Sequence, residues 1–136
     1  MYLVVWALTL LVGFAGRLMV PAQAAPFKIH HSTATVTAYC SCAKCCGKWA
    51  YNRPNGIVYT SSGAVAKEGV TVAVDPRVIP IGARVIIDGH TYIAQDTGVS
   101  GAWIDIYCES HQTALNVGMQ KEEIAWYIPR STDICH

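Results

Sequence analysis

Short runs rich in β-branched and aromatic residues recur along most of the chain, and turn-forming residues separate them. The run T-A-T-V-T-A-Y at 33–39 has the alternation that is typical of a strand with one buried face. The intervening turns are rich in Gly, Pro, Asn and Ser, as in R-P-N-G at 53–56 and S-S-G at 61–63. The pattern predicts strands at 33–39, 56–60, 70–75, 83–88, 91–96, 103–108 and 124–128.

Two local signals connect these predicted strands. Asp88-Gly89 lies between the runs R-V-I-I and T-Y-I and predicts a tight hairpin in which Asp88 is a turn residue. Residues 110–117 have a helical signature, with Ser110 as the N-cap and Gly118 after the last turn. Many short strands with one short helix predict a mainly β domain that folds as a closed or nearly closed barrel.

The N-terminal residues differ from the rest of the chain and raise its hydrophobic content to 52%. Residues 1–16 carry no charged side chain, and the A-x-A sequence Ala22-Gln23-Ala24 follows, as in a secretory signal peptide. Arg17 makes the apolar run short for a membrane-spanning helix, although an uncleaved anchor stays an alternative. We divide the 136 residues into a signal peptide or anchor at 1–24, a short tether at 25–32 and one domain at 33–136.

The charge of the chain argues against nucleic acid as a partner. Ten Lys and Arg stand against nine Asp and Glu, and cleavage after Ala24 removes Arg17, which leaves nine of each sign. The basic residues are scattered along the sequence, so we expect no positive patch that would attract a phosphate backbone. The sequence predicts an exported protein, with a membrane contact if the N-terminal segment stays uncleaved.

Three aspartates stand in predicted strands: Asp75 in T-V-A-V-D-P, Asp96 in A-Q-D-T-G and Asp105 in W-I-D-I-Y. Because side chains alternate along a strand, Asp105 points away from its isoleucine neighbours and shares a face with Trp103 and Tyr107. Aromatic rings pack on the apolar faces of sugars, so this surface is typical of a carbohydrate cleft.

Carboxylates that lie close together do not all ionise easily, and one of them can then hold a proton near neutral pH. Such a group can act as a general acid on a glycosidic oxygen. Taken alone, the spacing is a weak signal, because aspartates at strand ends often form turns and nothing more.

Several longer motifs resemble the 3D domain, which is named for three aspartates and occurs in exported bacterial cell-wall proteins. In chain order they are V-T-A-Y-C-S-C-A-K-C-C-G-K, T-S-S-G, V-T-V-A-V-D-P-R-V-I-P-I-G-A-R-V-I-I-D-G, A-Q-D-T-G, I-D-I-Y and S-H-Q-T-A-L-N-V-G. The resemblance runs from Val36 to Ile128. The 3D domain is itself similar to the catalytic domain of the membrane-bound lytic transglycosylase A type.

This resemblance implies a double-psi β-barrel in which Asp75, Asp96 and Asp105 share one cleft. It implies that Asp105 is the general acid and base that cleaves the β-1,4 bond between N-acetylmuramic acid and N-acetylglucosamine and leaves a 1,6-anhydro end. Asp75 and Asp96 would support Asp105, peptidoglycan glycan strands are the expected partner, and no cofactor or metal is expected. Substrate contacts are expected from Trp103, Tyr107, Thr60 and Ser62.

One loop departs from the family pattern. Family members often carry D-x-G-G-A-I-K-G before the final aspartate, whereas this chain has D-T-G-V-S-G-A-W, which is two residues shorter and lacks the lysine. The change affects the expected border of the glycan groove, where Trp103 is predicted to replace lost contacts by stacking on a sugar. A non-catalytic glycan-binding module of the same fold is therefore the main alternative function.

The other unusual feature is a set of six cysteines: Cys40, Cys42, Cys45, Cys46, Cys108 and Cys135. The cluster C-S-C-A-K-C-C invites a zinc site, but the usual zinc ribbon has two separated C-x-x-C pairs. An exported domain with an even number of cysteines more often forms disulfides, and we favour this interpretation, with a metal or free thiols as alternatives. A bridge from the cluster to Cys108 would pin the strand that carries Asp105.

The cysteines also leave two other functions to weigh. One is a secreted redox or metal-handling protein built around the cluster. The other is a cysteine hydrolase with Cys108 as nucleophile and His111 as base, but no acidic residue is evident that would orient His111. We instead assign His111 to packing and capping at the start of the predicted helix.

Overall fold

The structure is a computed structural model that describes residues 28–130. The predicted signal peptide or anchor at 1–24 and Cys135 lie outside these residues. None of the helices in the described part has the length and apolar character needed to cross a membrane. The strands and α-helices, in chain order, are β1 (His30–Cys40), α1 (Ala43–Cys46), β2 (Thr71–Val74), β3 (Arg84–Ile87), β4 (His90–Asp96), β5 (Trp103–Cys108), α2 (His111–Val117) and β6 (Gln120–Tyr127).

Within residues 28–130 the six strands close into a barrel in the order β1–β5–β2–β4–β3–β6. The β1/β5 and β2/β4 pairs are parallel, and the other four pairs are antiparallel. Each strand has a neighbour on both sides, so the barrel leaves no open edge. The predicted mainly β fold and closed barrel are confirmed, and the mixed pairing agrees with the double-psi β-barrel that the resemblance implies.

The long strand β1 closes the barrel because it pairs with two partners in succession. The part from His30 to Val36 pairs antiparallel with β6, and the part from Thr35 to Cys40 pairs parallel with β5. His30 stacks on Trp126 of β6 with ring centroids 4.0 Å apart, which holds the start of the strand against the barrel. The strand therefore begins three residues before its predicted start.

Branched aliphatic side chains fill the interior of the barrel. Such side chains pack well on the pleated surface of strands, and each contributes roughly 1.5–3 kcal/mol when it is withdrawn from water. This packing sets the register of the strands, and with it the positions of the polar side chains at the barrel end. The largest fully buried members are Val36 of β1, Val72 and Val74 of β2, Val85 of β3 and Ile104 of β5.

The predicted hairpin turn and helix cap are confirmed. Asp88 and Gly89 have φ angles of 47° and 74°, so both are left-handed, as required in the two-residue turn that joins β3 to β4. Ser110 Oγ accepts a 3.0 Å hydrogen bond from the backbone N–H of Thr113 and caps α2. The helix ends before Gly118, whose φ is 67°.

The β1–β2 connection (residues 41–70) differs from its prediction. The predicted strand at 56–60 is wrong, because a 3-10 turn occupies Pro54–Gly56 and a single bridge from Tyr59 to Val65 is all that is strand-like there. Pro54 has no N–H to donate to a neighbouring strand, and the two residues after it are left-handed, so the run cannot pair continuously.

The β1–β2 connection also carries helical structure that was not predicted. The α-helix α1 and a 3-10 helix at Gly47–Tyr51 follow the end of β1, so the described part of the chain has two short α-helices instead of one. Gly47, with a φ of 52°, lies at the junction between them. These turns take the chain out of the barrel wall and over one end of the barrel, where the candidate site lies.

Candidate functional site

Asp96 and Asp105 lie on either side of one alanine. Ala73 of β2 pairs with Asp96 of β4 on one side and with Asp105 of β5 on the other. Neighbouring strands are about 4.8 Å apart, so the backbones of the two aspartates are separated by about 10 Å. Ala73 is buried and contributes a single methyl group, so it leaves space between the two carboxylates.

A β-bulge in β4 brings Asp96 into this position. Val72 and Ala73 are adjacent in β2, but their partners in β4 are two residues apart, so Gln95 is the extra residue of the bulge. The hydroxyl of Thr71 donates a 2.7 Å hydrogen bond to Oε1 of Gln95 and holds it. Without the bulge Gln95 would face Ala73, and Asp96 would lie on the other face of the strand.

Asp105 is held by one neighbouring hydroxyl. Thr37 Oγ1 donates a hydrogen bond to Oδ1 of Asp105, and the two residues are direct partners in the parallel β1/β5 pair. In the described part of the chain no side chain or backbone group bonds to Oδ2, and Asp105 lines the cleft described below. Asp105 therefore presents one oxygen atom that can give or take a proton.

Asp96 is held by three donors. Its Oδ1 accepts from the backbone N–H groups of Ser61 and Thr97, each at 2.9 Å, and its Oδ2 accepts from the Tyr39 hydroxyl at 2.6 Å. Burial, together with the hydrogen bond to Asp96, raises the pKa of Tyr39 well above its usual range, so this hydroxyl stays a donor. Asp96 is thus a fixed carboxylate, and it also ties the β1–β2 connection to the barrel.

Asp75 has a different environment from the other two aspartates. It is 3% exposed, and it pairs in bidentate fashion with the Arg77 guanidinium at 2.9 and 2.7 Å. Its carboxylate also accepts from the backbone N–H groups of Gly101 and Arg77, at 2.7 and 3.0 Å. The Arg77 guanidinium and these N–H groups hold the pKa of Asp75 well below its usual range. Asp75 anchors the loop between β4 and β5, and it is not among the residues that line the cleft.

A cleft of about 650 Å³ opens above Asp96 and Asp105. The end of the barrel forms one side, and the β1–β2 connection forms the other, with aromatic, polar and basic side chains. Clefts of this volume bind organic ligands the size of a few rings. The lining includes Tyr39, Ala73 and Thr97 from the barrel side and Trp49, Arg53 and Tyr59 from the connection.

Of the four residues predicted to contact substrate, only one lines the cleft. Thr60 lines the cleft, whereas Ser62 is exposed and does not line it, although its Oγ lies 3.0 Å from Thr60 Oγ1. Tyr107 is buried and packs edge-on against Tyr39, with ring centroids 5.5 Å apart. Trp103 is 44% exposed but does not line the cleft.

Three aromatic residues of the cleft were not singled out from the sequence. Tyr39 lies in β1, and Trp49 and Tyr59 lie in the β1–β2 connection. Trp49 and Tyr59 are 67% and 47% exposed, which is unusual for side chains of this size and is typical of a binding surface. The position of Trp49, three residues after Cys46, is the available signal, but its role depends on how the connection folds over the barrel.

We expect Asp75→Asn to lower stability at neutral pH, because the amide removes the negative charge that Arg77 pairs with. A carboxyl whose pKa is depressed by folding stabilises the protein above its unfolded pKa of about 3.9, and this contribution disappears as the pH falls through the folded value. The difference in Tm between wild type and variant should therefore be largest near pH 7 and should narrow below about pH 4.

Thermal unfolding at pH 7 and at pH 3 measures this difference. Asp88→Asn, in the exposed turn between β3 and β4, is the matched control and should change Tm little at either pH. An Asp75→Asn protein that is as stable as wild type at pH 7 would contradict the anchoring role.

A second group of chemically active side chains lies beside the cleft. The ligand atoms of Cys40, Cys42, Cys45 and His111 lie within 4.8 Å of one another. All five cysteines in residues 28–130 are free thiols, so the predicted disulfides are not found among them, and Cys135 lies outside this range. Among the described residues, this group has the composition and geometry to hold a metal ion.

Comparison with known families assigns the part of the chain that holds the aspartates. Residues 70–129 match a family described as the 3D domain. The chain contains a 3D domain. The three aspartates lie within the 3D domain, whereas β1, which closes the barrel, and the three clustered cysteines that face His111 precede it.

A curated protein of Bacillus subtilis (strain 168), named "Putative cell wall shaping protein YabE", is 35% identical to this chain over 101 residues. The alignment covers 68% of this chain and 22% of YabE, so the chain spans about a fifth of that protein's length. The 3D domain begins at residue 70, and only seven residues follow its end at 129. An alignment that covers 68% of the chain must therefore also include residues before the 3D domain.

A solved structure described as "Lytic transglycosylase, LtgG, of Burkholderia pseudomallei" is also similar to the chain. The match has 23% sequence identity and a TM-score of 0.44. It covers 54% of this chain and 27% of the other.

Proposed function

We propose that this protein cleaves peptidoglycan glycan strands outside the cytoplasm, as a lytic transglycosylase with Asp105 as general acid and base. The observation that carries the proposal is the cleft shared by Asp96 and Asp105, in which one carboxylate is fixed by three donors and the other presents a free oxygen. The resemblance to the transglycosylase A type supports the same reaction. The name of YabE, a cell wall shaping protein, supports the same substrate.

Asp105 would give up one proton in the first half of the reaction and take up another in the second half. Its Oδ2 first gives a proton to the glycosidic oxygen, and the bond between that oxygen and C1 of N-acetylmuramic acid breaks. The C6 hydroxyl oxygen of the same sugar then attacks C1, and its proton passes to the Asp105 carboxylate. The product has a 1,6-anhydro ring, no water is consumed, and Asp105 is protonated again for the next cycle.

Asp96 would stabilise the positive charge that develops at C1. Cleavage of a glycosidic bond passes through a transition state that resembles an oxocarbenium ion. A carboxylate already oriented by three donors stabilises such a charge without reorganising. Because Asp96 and Asp105 lie on opposite sides of Ala73, with backbones about 10 Å apart, a sugar ring has room between them.

Trp49 is our candidate for a stacking contact with the glycan, and we expect Trp49→Ala to weaken binding to peptidoglycan by roughly two- to tenfold. The side chain is 67% exposed at the cleft, so its removal should not disturb the core. Co-sedimentation with purified peptidoglycan measures the effect.

Trp103→Ala is the matched comparison, because Trp103 is similarly exposed but does not line the cleft. The sequence predicts that Trp103 stacks on a sugar, whereas the cleft geometry favours Trp49. A loss of binding in Trp103→Ala with none in Trp49→Ala would place the glycan outside the cleft, on the surface around Trp103, and contradict our assignment.

The proposed reaction is tested by its product. The purified protein is incubated with peptidoglycan, and the released fragments are analysed by mass spectrometry. Anhydro-muropeptides are the expected product. Fragments with a reducing muramic acid would show hydrolysis by water and would overturn the transglycosylase mechanism while keeping the substrate.

A non-catalytic glycan-binding module is the second candidate, and the short loop between β4 and β5 favours it. Residues 97–102 form this loop, and the hydrogen bond from Gly101 to Asp75 holds it against the barrel. Because this loop is short and fixed against the barrel, it can make few contacts with a glycan that lies in the groove. Binding to peptidoglycan with no released fragment would support this candidate over the enzyme.

A further inference from the structure

Four side chains from three elements bring their ligand atoms together. Cys40 is the last residue of β1, and His111 is the first residue of α2. Cys42 is the N-cap residue of α1, and Cys45 lies within that helix. The Sγ atoms of Cys42 and Cys45 are each 3.5 Å from Nδ1 of His111, and that of Cys40 is 3.7 Å from it. The Sγ atoms of Cys40 and Cys45 are 3.6 Å apart.

These distances are close to the edges of a zinc-centred tetrahedron. With a Zn–S bond of about 2.3 Å and a Zn–N bond of about 2.0–2.1 Å, tetrahedral angles place two sulfur ligands about 3.8 Å apart. The same geometry places a sulfur and a nitrogen ligand about 3.5 Å apart. The Cys40–Cys45 sulfur–sulfur separation of 3.6 Å and the three sulfur–nitrogen separations of 3.5–3.7 Å match these values, and all four ligand atoms lie within 4.8 Å of one another.

The backbone holds the donors in this arrangement. The N–H groups of Cys45 and Cys46 donate to the carbonyl of Cys42 at 3.1 and 2.9 Å, and this turn sets the C-x-x-C pair side by side. Cys40 is 1% exposed and pairs in register with Cys108 of β5. Because α2 begins three residues after Cys108, the β1/β5 pair brings its first side chain to the cluster.

A disulfide accounts for less of this arrangement than a metal does. A bond between two sulfurs needs a separation of about 2.05 Å, and it uses two thiols. The third thiol and the His111 ring nitrogen would then lie next to the disulfide without taking part in it. A metal ion uses all four donors, of which three lie within six residues of sequence and the fourth, His111, lies 66 residues beyond Cys45.

We propose that Cys40, Cys42, Cys45 and His111 bind a zinc ion in a closed, structural site. Three thiolates and one imidazole nitrogen complete a tetrahedron and leave no coordination position for water or substrate. Thiolate ligands disfavour magnesium and calcium, which prefer oxygen, and a tetrahedral site rich in sulfur suits zinc. On binding, the three thiols lose their protons to the solvent and the histidine binds as neutral imidazole.

The proposed zinc joins the β1–β2 connection to the barrel. Cys42 and Cys45 belong to the connection, whereas Cys40 and His111 belong to the barrel and its helix. Trp49 and Arg53 follow within the same connection and line the cleft. The ion would thus hold one side of the cleft in place without taking part in any reaction there.

The test uses the purified protein with its zinc content measured by atomic emission. We expect one zinc ion per chain, either as purified or after reduction and incubation with zinc. Replacement by cobalt should give the absorption of a tetrahedral cobalt–thiolate centre. Cys42→Ser and His111→Ala should retain zinc at least about tenfold more weakly, since even the loss of an outer contact to a metal ligand commonly costs that much.

Two matched variants keep the test decisive. Cys46→Ser changes a neighbouring thiol whose Sγ donates to the Cys40 carbonyl at 3.1 Å, and it should retain zinc as wild type does. His111→Cys replaces one zinc ligand by another and should also retain the metal.

The proposal is overturned by a wild-type protein that binds no zinc after full reduction, or by a Cys42→Ser protein that binds zinc as tightly as wild type. A Cys40–Cys45 disulfide that persists in mass spectra of a zinc-free protein would overturn it in favour of the bridge. The wild-type measurements do not depend on whether any variant folds, and none of these results depends on whether the protein cleaves peptidoglycan.

Discussion

Asp105→Asn is expected to lower the release of anhydro-muropeptides by about 10²–10⁴-fold, the usual contribution of a general acid or base. Asparagine has the same shape and can still accept the hydrogen bond from Thr37, so the barrel should fold normally. It cannot give a proton to the glycosidic oxygen or take one from the C6 hydroxyl. Because one carboxyl group serves both steps, its loss should block both of them, while glycan binding should persist.

The rate of soluble product release, followed by mass spectrometry, measures the effect. Asp88→Asn makes the same chemical change in the exposed β3–β4 turn, where φ is 47° and asparagine is well tolerated, and it should cleave at the wild-type rate. Equal rates for Asp105→Asn and wild type would contradict the assignment. A loss confined to Asp96→Asn would transfer the proton-carrying role to Asp96.

Much of the barrel could be predicted from the sequence because strand formation and core packing use the same residues. The β-branched runs that end in Asp75, Asp96 and Cys108 fill the interior, so local preference and tertiary burial agree there. The alternation of W-I-D-I-Y also placed Asp105 on the face opposite to Ile104, which is buried in the core.

The geometry of the candidate site depends on features that no pattern of alternation reveals. A strict two-residue period would place Gln95 opposite Ala73, and the bulge that moves Asp96 there is visible only when β2 and β4 are paired. The role of Asp75 likewise depends on Arg77 and on the N–H group of Gly101, a contact across 26 residues of sequence. Such contacts follow from the register of the barrel and not from local composition.

The cysteines illustrate the same limit. Four of them form one cluster in the sequence, and a histidine ligand is not evident there because His111 lies 66 residues beyond Cys45. The parallel β1/β5 pair brings His111 close to the cysteines in space, because Cys40 is opposite Cys108 and α2 starts three residues later. A histidine that was assigned to helix capping is therefore a candidate ligand, and Ser110 performs the capping.

Removal of the proposed zinc is expected to lower the Tm by about 10–20 °C. A ligand present at a hundredfold excess over its dissociation constant stabilises the folded state by about 2.7 kcal/mol. For a domain of this size, each 1 kcal/mol corresponds to roughly 4–8 °C in Tm. Without the zinc, the β1–β2 connection should lose the most structure. The helix α1 has four residues, none of them buried, and cannot hold its position by packing alone.

Thermal unfolding with and without a zinc chelator measures this effect, and added zinc should restore the original Tm. The chelator should lower the Tm of Cys42→Ser less than that of wild type, because zinc binds this variant more weakly, and it should have its full effect on Cys46→Ser, which keeps all four ligands. If the connection is a working side of the cleft, glycan binding should fall together with the Tm, because Trp49 and Arg53 would lose their positions opposite Asp96 and Asp105. A Tm that is insensitive to the chelator in a protein shown to contain zinc would mean that the ion binds without supporting the fold.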